Sequence, residues 1–245
     1  MTTTPPGFDP TVHDAPLALV TGGSRGLGLA IARSLAGLGW RLIIDGRDPQ
    51  ALAQATTTLG DAVWASVPGD VSHARHRDEL VAAVERAEHL DLLVHNASTL
   101  GPLPMRRLED LDPEGLSTVL AVNTVAPHTL TRRLLPYLLT SRGTVLGLSS
   151  DAAVEGYETW GAYGASKAAL DHLIRVLGAE QPDIRAYAFD PGDMRTQMHA
   201  DAFPGEDISD RPLPETVVPV LLRLLADRPD SGRYRAADLT VGAGA

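Results

Sequence analysis

Residues 17–28 read Leu17-Ala18-Leu19-Val20-Thr21-Gly22-Gly23-Ser24-Arg25-Gly26-Leu27-Gly28 and lead straight into the amphipathic pattern Gly26–Leu38. An apolar run without polar alternation is what a strand covered on both faces looks like. Glycines permit a tight turn and close approach of backbone to a ligand, and the free N–H groups at a helix start attract phosphate. In this strand–turn–helix context a dinucleotide cradle is favoured over a plain connection. The spacing is Gly-x3-Gly-x-Gly, without the Gly-Lys-Ser/Thr ending of a nucleoside-triphosphate loop.

Outward from this stretch the same alternation recurs. Strand-length runs fall at Leu17–Thr21, Arg41–Asp45, Ala62–Val67, Asp91–His95, Gly143–Ser149, Ile184–Asp190 and, weakly, Asp238–Val241. Helical patterns fall between them at Pro49–Leu59, Arg75–Glu88, Pro113–Leu139, Tyr163–Gly178 and Pro214–Ala226. Asp112-Pro113 reads as an N-cap followed by a first-turn proline, and Pro127 and Pro136 should bend or end the long helix locally. Alternation of this kind predicts an α/β fold: a doubly wound, mostly or wholly parallel seven-stranded sheet with helices on both faces. We read residues 1–16 as a loosely held extension and residues 17–245 as one domain. Gln197–Pro212, with its prolines, glycine and four acids, is the one long irregular stretch, a candidate substrate lid.

The chain has 245 residues, 44% of them hydrophobic, a formal charge of −10 and no cysteine. Zero cysteine excludes disulfides, thiolate metal sites and a cysteine nucleophile. The acidic balance, with pI near 5.2, argues against a nucleic-acid or anionic-membrane partner, because both demand a positive field. No run approaches a membrane span, and the first residues lack the pattern of a signal peptide, so a cytoplasmic location is expected. Of the 21 Lys+Arg residues a single one, Lys167, is lysine.

Candidate site residues cluster at strand ends. Ile44-Asp45-Gly46-Arg47 closes the second strand, where an acid can bond the ribose 2′-hydroxyl of NAD and an arginine can clamp the 2′-phosphate of NADP. Asp45 and Arg47 therefore conflict, with Arg25 able to join Arg47 in a dibasic clamp. Asp70-Val71 follows the third strand and His95-Asn96-Ala97-Ser98 ends the fourth. Asp70 can accept from an adenine amino group; Asn96 can tie strands together or reach the ribose; either can equally be a turn residue. Ser149-Ser150 ends the fifth strand, and Tyr163 and Lys167 share one helix face at i, i+4. A phenol is a poor catalyst at neutral pH unless a nearby ammonium stabilises its anion, and arginine's rigid fork is a worse fit for that task.

Together these motifs resemble the classical short-chain dehydrogenase/reductase family from Leu17 to about Val241. Thr21-Gly22, Ser24, Arg25 and Gly26-Leu27-Gly28 resemble its cofactor turn, Asn96-Ala97 its Asn-Asn-Ala-Gly motif, and Asn123 its helix asparagine. Ser150, Tyr163 and Lys167 match its catalytic residues, and Pro191-Gly192, Met194 and Thr196 match its segment near the nicotinamide. The resemblance implies a Rossmann-type fold and an oxidoreductase that moves hydride between nicotinamide and a small carbonyl or alcohol. Ser150 would hold the substrate oxygen and Tyr163 would give or take its proton. Lys167 would tune that tyrosine and hold the ribose, and Asn123 would hold a water linking Lys167 to solvent. The family's NAD-specifying acid aligns with Gly46 and its NADP-type arginines with Arg25 and Arg47, so NADP(H) is favoured over NAD(H). A homodimer or homotetramer is expected by the same analogy.

The sequence also departs from the family pattern. His95 and Ser98 replace an asparagine and a glycine, acids stand at Asp151 and Asp193, and Ser231-Gly232-Arg233-Tyr234-Arg235 lacks the usual Thr-Gly-Gln. Both acids are read as local turn residues ahead of a role in selecting a cationic substrate, and Tyr157 and Trp160 as packing ahead of a substrate wall. His73, His76 and Glu79 share a helical face, but their arginine-rich stretch reads as solvated rather than zinc-binding. No Gly-x-Ser-x-Gly elbow offers an esterase nucleophile. The alternative function is a non-redox, cofactor-binding sensor or regulatory protein on the same fold.

Overall fold

The computed structural model describes residues 15–240; all but the last two residues of the expected N-terminal extension lie outside them. Seven strands form one wholly parallel sheet: β1 (Leu17–Val20), β2 (Arg41–Gly46), β3 (Val63–Pro68), β4 (Leu92–His95), β5 (Thr144–Leu148), β6 (Arg185–Asp190) and β7 (Gly232–Arg235). Their order is β3-β2-β1-β4-β5-β6-β7. Helices α1 (Gly26–Gly37), α2 (Pro49–Leu59), α3 (Ala74–Glu85), α4 (Pro113–Leu120), α5 (Ala126–Thr140), α6 (Gly161–Glu180), α7 (Gln197–Ala202), α8 (Val218–Asp227) and α9 (Ala236–Thr240) connect them. The central strands are buried along their whole length, which is why their sequences show apolar runs rather than alternation.

The two sheet faces carry separate cores. On one, Ile31 and Leu35 of α1 and Leu221 and Leu224 of α8 pack on Val20, Ile44 and Val94. On the other, Leu80 and Val84 of α3 and Leu130, Leu134 and Leu138 of α5 pack on Leu19, Ile43, Leu93 and Val145. The chain reverses its winding direction between β1 and β4, paired at Val20 and Val94. Loops leaving the carboxyl ends of two such strands diverge and open a crevice.

Three local readings are corrected. The last strand is Gly232–Arg235, not Asp238–Val241: residues 236–240 are helical and Val241 lies outside the described residues. Its polar Gly-Arg-Tyr-Arg composition hides an edge strand paired to β6 on one side, with Tyr234 edge-on to Tyr187 at 5.6 Å. The long helix is divided at Ala121–Val125 by a π turn, in which Ala126 N–H bonds back to the Ala121 carbonyl. Pro127, without an N–H, cannot complete the α-helical bond to Asn123, and a π turn absorbs that loss. Pro136, by contrast, lies within an uninterrupted α5. Finally, the stretch after Thr196 begins as α7, because the Thr196 hydroxyl accepts from His199 N–H at 3.2 Å and caps it.

Candidate active site

The glycine turn is held from two directions. Thr21 Oγ1 donates to the Val94 carbonyl and accepts from Asn96 N–H and Ala97 N–H, each at 3.1 Å. Asn96 Nδ2 donates to the carbonyls of Thr21 (2.9 Å) and Gly22 (3.1 Å). Asn96 is therefore a tie between β1 and β4, one of the two roles open to it. Gly22 has φ of +66°, and a Cβ on Gly28 would lie 2.3 Å from the Gly22 carbonyl oxygen, so neither position admits another residue without rearrangement. Gly26, with φ of +54°, is different: its nearest neighbour outside the turn is a Thr196 methyl 3.9 Å from where a Cβ would sit. Open space at a helix N-terminus is the cradle a pyrophosphate requires.

From below, Asp45 fixes the same turn. Its carboxylate accepts from Gly22 N–H at 2.5 Å and lies 2.8 Å from His76 Nε2, with both side chains buried. Burial raises the Asp45 pKa, and the His76 and Gly22 contacts only partly offset this. His76 is thus an interior residue and not a solvated one. The conflict at the end of β2 is resolved by direction: Asp45 is consumed inside the fold, whereas Arg47 and Arg25 are exposed. Neither of these arginines enters a salt bridge among the described residues. Gly46 packs against Ser24, whose hydroxyl would lie 2.6 Å from any added Cβ. Asp70 accepts from Ser72 N–H (2.8 Å) and Ser72 Oγ (2.7 Å). Partial burial raises its pKa, but those bonds and the charges of Arg47 and His73 outweigh it and hold it low. Val71 and Ala97 pack with Val122 and Ala126 beside it, and Leu27 faces the core.

Across the crevice, β5 and α6 bring Ser150, Tyr163 and Lys167 together. Tyr163 is 8% exposed, and the side chains of Ser150 and, unexpectedly, Ser98 are close enough to its phenol to favour the anion. Lys167, 3% exposed, donates from Nζ to the Leu148 carbonyl at 2.6 Å and lies 5.5 Å from the Tyr163 ring centroid. Burial raises the Tyr163 pKa above its ordinary value despite the two serines; burial lowers Lys167 to about 8, against the pull of Asp171 and Asp190. Asn123 is saturated. Its Nδ2 donates to the Thr99 carbonyl and Ser166 Oγ (2.9 Å each), and its Oδ1 accepts from Thr99 N–H (2.9 Å) and Ser98 Oγ (3.2 Å). Ser166 Oγ donates in turn to the Tyr163 carbonyl at 2.7 Å.

Asp151 makes local turn bonds, accepting from Ser150 Oγ (2.9 Å), Ala152 N–H (2.8 Å) and the Tyr157 hydroxyl (2.9 Å). Asp193 is exposed, 3.8 Å from His199 Nδ1. His95 turns away, with Nε2 2.7 Å from Thr131 Oγ1, and burial lowers its pKa to about 3, so it is neutral. Trp160 stands edge-on to Tyr163 at 5.5 Å and tilted against Phe203 at 5.7 Å. Met194 and Pro191 line a cavity of about 160 Å³ with Val217, Val220 and Ala236. Gly192 N–H donates to Asp190 Oδ1 at 3.1 Å, and Thr196 caps α7. Sequence reasoning missed the contacts of Ser98 and Ser166. It also missed Asp171 and Arg233, where an acid one helical turn past Lys167 was the available signal. Among the described residues no group of three metal-ligating side chains occurs, and no helix is long and apolar enough to cross a membrane.

The sequence and the fold both have counterparts among known proteins. Residues 16–207 match the profile of short chain dehydrogenases. The chain is 33% identical over 220 residues to the oxidoreductase YciK of Escherichia coli K12, covering 86% of each protein. It is 34% identical over 198 residues to sepiapterin reductase of Bos taurus, covering 74% of each. Among solved structures, a short chain dehydrogenase from Pseudomonas syringae superposes with a TM-score of 0.84 at 33% identity, over 94% of this chain and 98% of that one. A short chain dehydrogenase from Escherichia coli CFT073, complexed with NADPH, gives 0.82 at 31% identity, over 90% and 96%.

Proposed function

We propose, from the premise that this chain belongs to the short chain dehydrogenase family, that it is an NADP(H)-dependent oxidoreductase whose Tyr163 acts as acid and base on a small carbonyl or alcohol substrate. The observation that carries the reading is the buried Tyr163 phenol, close to Ser150 and one helical turn from the single lysine, across a crevice from the open cradle at Gly26. The cofactor fits that cradle. Gly22, Ser24, Gly26, Leu27 and Gly28 would line its pyrophosphate, Asp70, Val71 and Ala97 its adenine, and Pro191, Gly192, Met194 and Thr196 its nicotinamide. NADP(H) is favoured because two exposed arginines flank the turn, the strand-end acid is turned inward, and Ser24 fills the space beside Gly46. A related chain that was solved with NADPH supports the same choice.

When bound, the nicotinamide supplies or accepts the hydride; the chain supplies geometry, charge and the proton. Ser150 Oγ, on turning its proton away from Asp151 Oδ1, would donate to the substrate oxygen and stabilise the developing alkoxide. Tyr163 carries its proton at neutral pH and would give it to that oxygen in reduction; burial makes the phenol a weaker acid than usual, so the phenolate left behind needs a nearby positive charge. Lys167, with a pKa near 8, is mainly ammonium at pH 7 and offsets the negative charge left on Tyr163. The saturated Asn123 side chain leaves its main-chain carbonyl, unbonded by Pro127, as the group able to hold a water toward Lys167. The segment 197–212 serves as the lid of a single catalytic domain: Met198 and Ala202 of α7 pack against the cluster of Leu100, Ala152 and Tyr163, and Phe203 packs on Trp160. Half-exposed Leu173 and Val176 on α6 support a homodimer or homotetramer.

The test is ketone-dependent NADPH oxidation by wild type, Tyr163→Phe and Arg47→Ala. Loss of the phenol should lower kcat by about 1,000-fold or more, in the range of general-acid removal. Arg47→Ala should weaken NADPH about tenfold, the scale of one charge-assisted contact, while sparing NADH. Equal turnover by Tyr163→Phe sinks the mechanism, and an unchanged NADPH preference in Arg47→Ala sinks the cofactor assignment.

A further inference from the structure

Behind the catalytic serine lies a charged group that the mechanism above does not use. Arg233, on the edge strand β7, donates from Nε to Asp171 Oδ2 (2.9 Å) and from Nη2 to Asp190 Oδ2 (2.9 Å) and the Ser150 carbonyl (3.0 Å). These acceptors sit on three different elements. Asp171 is one turn beyond Lys167 on α6, Asp190 ends β6, and Ser150 follows β5. Asp171 Oδ2 also accepts from Ser149 Oγ at 2.7 Å, and Asp190 Oδ1 accepts from Gly192 N–H at 3.1 Å. Asp171 Oδ1 is buried and has no partner, so one carboxylate oxygen takes all of the compensation.

We infer that Arg233 is a positioning residue of the active site, whose single guanidinium locks the serine-bearing strand end, the helix of Tyr163 and Lys167, and the Asp190-Pro191-Gly192 segment into one arrangement. The inference rests on the redox reading of this site. It follows first from shape: a planar fork can satisfy three acceptors from fixed directions, which a lysine ammonium on a flexible stem does less well. The chain uses its one lysine where a compact charge faces a phenol, and an arginine where three elements must be held. Charge points the same way. Asp171 and Asp190 are the two acids that favour the ammonium form of Lys167, and each is bonded by Arg233. Around Asp171 the charged and polar neighbours are Lys167 on its own helix, Ser149 on the β5 side and Arg233 on β7. Burial raises the Asp171 pKa, and Ser149, Arg233 and Lys167 oppose that rise. Removing the guanidinium releases the rise, so Asp171 takes up a proton at a higher pH than in wild type and its support of Lys167 is lost on the acid side.

The experiment measures kcat, NADPH affinity and the pH profile of kcat for wild type, R233M, R233K and R233M/D171N. R233M should bind NADPH within about threefold of wild type yet lose about 30-fold in kcat, the scale of a lost charged hydrogen-bond set. It should gain an acid limb at higher pH than any in wild type, and the limb should vanish in R233M/D171N, which has no carboxyl at position 171 to protonate. R233K keeps the charge but not the fork; it should show no acid limb and a kcat lowered by roughly fivefold. If R233M does not fold, R233K decides, and a wild-type kcat in R233K overturns the proposal. An R233M enzyme with a lowered melting temperature but wild-type kcat and pH profile also overturns it, leaving Arg233 as a tie for stability only. Turnover that survives Tyr163→Phe would instead sink the redox reading, while the Arg233 variants are still compared with wild type.

Discussion

The two walls of the crevice are held by different forces. On the cofactor side, formed by the turn after β1 and the end of β4, the fit is made by backbone: carbonyls and N–H groups lie so close that side chains are excluded, and the ties are short neutral bonds from Thr21 and Asn96. On the catalytic side, formed by β5, α6, β6 and β7, the fit is made by charge: Lys167, Asp171, Asp190 and Arg233 alternate in sign through a largely buried region. One wall should therefore fail by collision and the other by titration. Asp45 is the exception that marks the boundary, a buried carboxylate used on the cofactor side as a hydrogen-bond acceptor for Gly22 and His76.

The largest expected effect tests the first half of that contrast. A methyl at Gly28 would lie 2.3 Å from the Gly22 carbonyl oxygen and 2.4 Å from Asn96 Nδ2, and these two atoms are already bonded to one another. Neither can retreat without breaking the tie between β1 and β4. Gly28→Ala should cost about 3 kcal/mol, at the upper end for an overpacked site. Gly26→Ala meets no collision and should cost only about 1 kcal/mol, for its positive φ, while losing NADPH affinity. Denaturant melts of the pair decide the matter: equal stabilities would show that the turn is not sterically set.

Which parts of this contrast were legible in the sequence follows from the same division. Backbone-made features are written in glycine spacing and apolar runs, so the turn, six of the strands and the crevice between β1 and β4 could be read from residues 17–28 outward. Tyr163 and Lys167 were legible because helical spacing is fixed at i, i+4. Charge-made features join residues far apart in the chain. Arg233 lies 62 positions from Asp171 and 43 from Asp190, and its strand, polar in composition, carries no apolar run to mark it, so the last strand is expected, from sequence, at Asp238–Val241. His76 failed for a related reason. An arginine-rich stretch looks solvated, yet the helix turns this one side chain inward beneath Gly69, where only a glycine leaves room for the ring.

The second test is of titration on the catalytic wall. Burial lowers Lys167 from an ordinary 10.5 to about 8, so between those pH values the unfolded chain binds a proton that the native chain does not. Stability then rises with pH across that window, because the cost of the buried ammonium fades as it deprotonates. Lys167→Met lacks the term. Its stability relative to wild type should be greatest near pH 7 and shrink by on the order of 2 kcal/mol toward pH 10. Parallel stability curves for the two proteins from pH 7 to 9.5 would mean that Lys167 is not a strained buried charge and that the catalytic wall is held otherwise.

The smallest effect concerns the residue that belongs to both walls. Ser98 leaves β4 two residues after Asn96, so by chain position it is part of the cofactor side, where the family pattern has glycine. Its hydroxyl nevertheless donates to Asn123 Oδ1 at 3.2 Å and is close enough to the Tyr163 phenol to favour its anion, and both are catalytic-side groups. Removing it leaves Asn123 with its three shorter bonds intact, so the fold should not suffer. What is lost is one neutral hydroxyl beside the phenol, worth about 0.5–1 kcal/mol net if it bonds the phenolate. If Ser98 works for the catalytic wall, Ser98→Ala lowers kcat about threefold to fivefold and leaves NADPH affinity within about twofold. If it works for the cofactor wall, affinity moves and kcat does not. The second outcome would shift the seam between the walls from β4 to α6, and it would make the departure from glycine a matter of cofactor fit instead of a second hand on Tyr163.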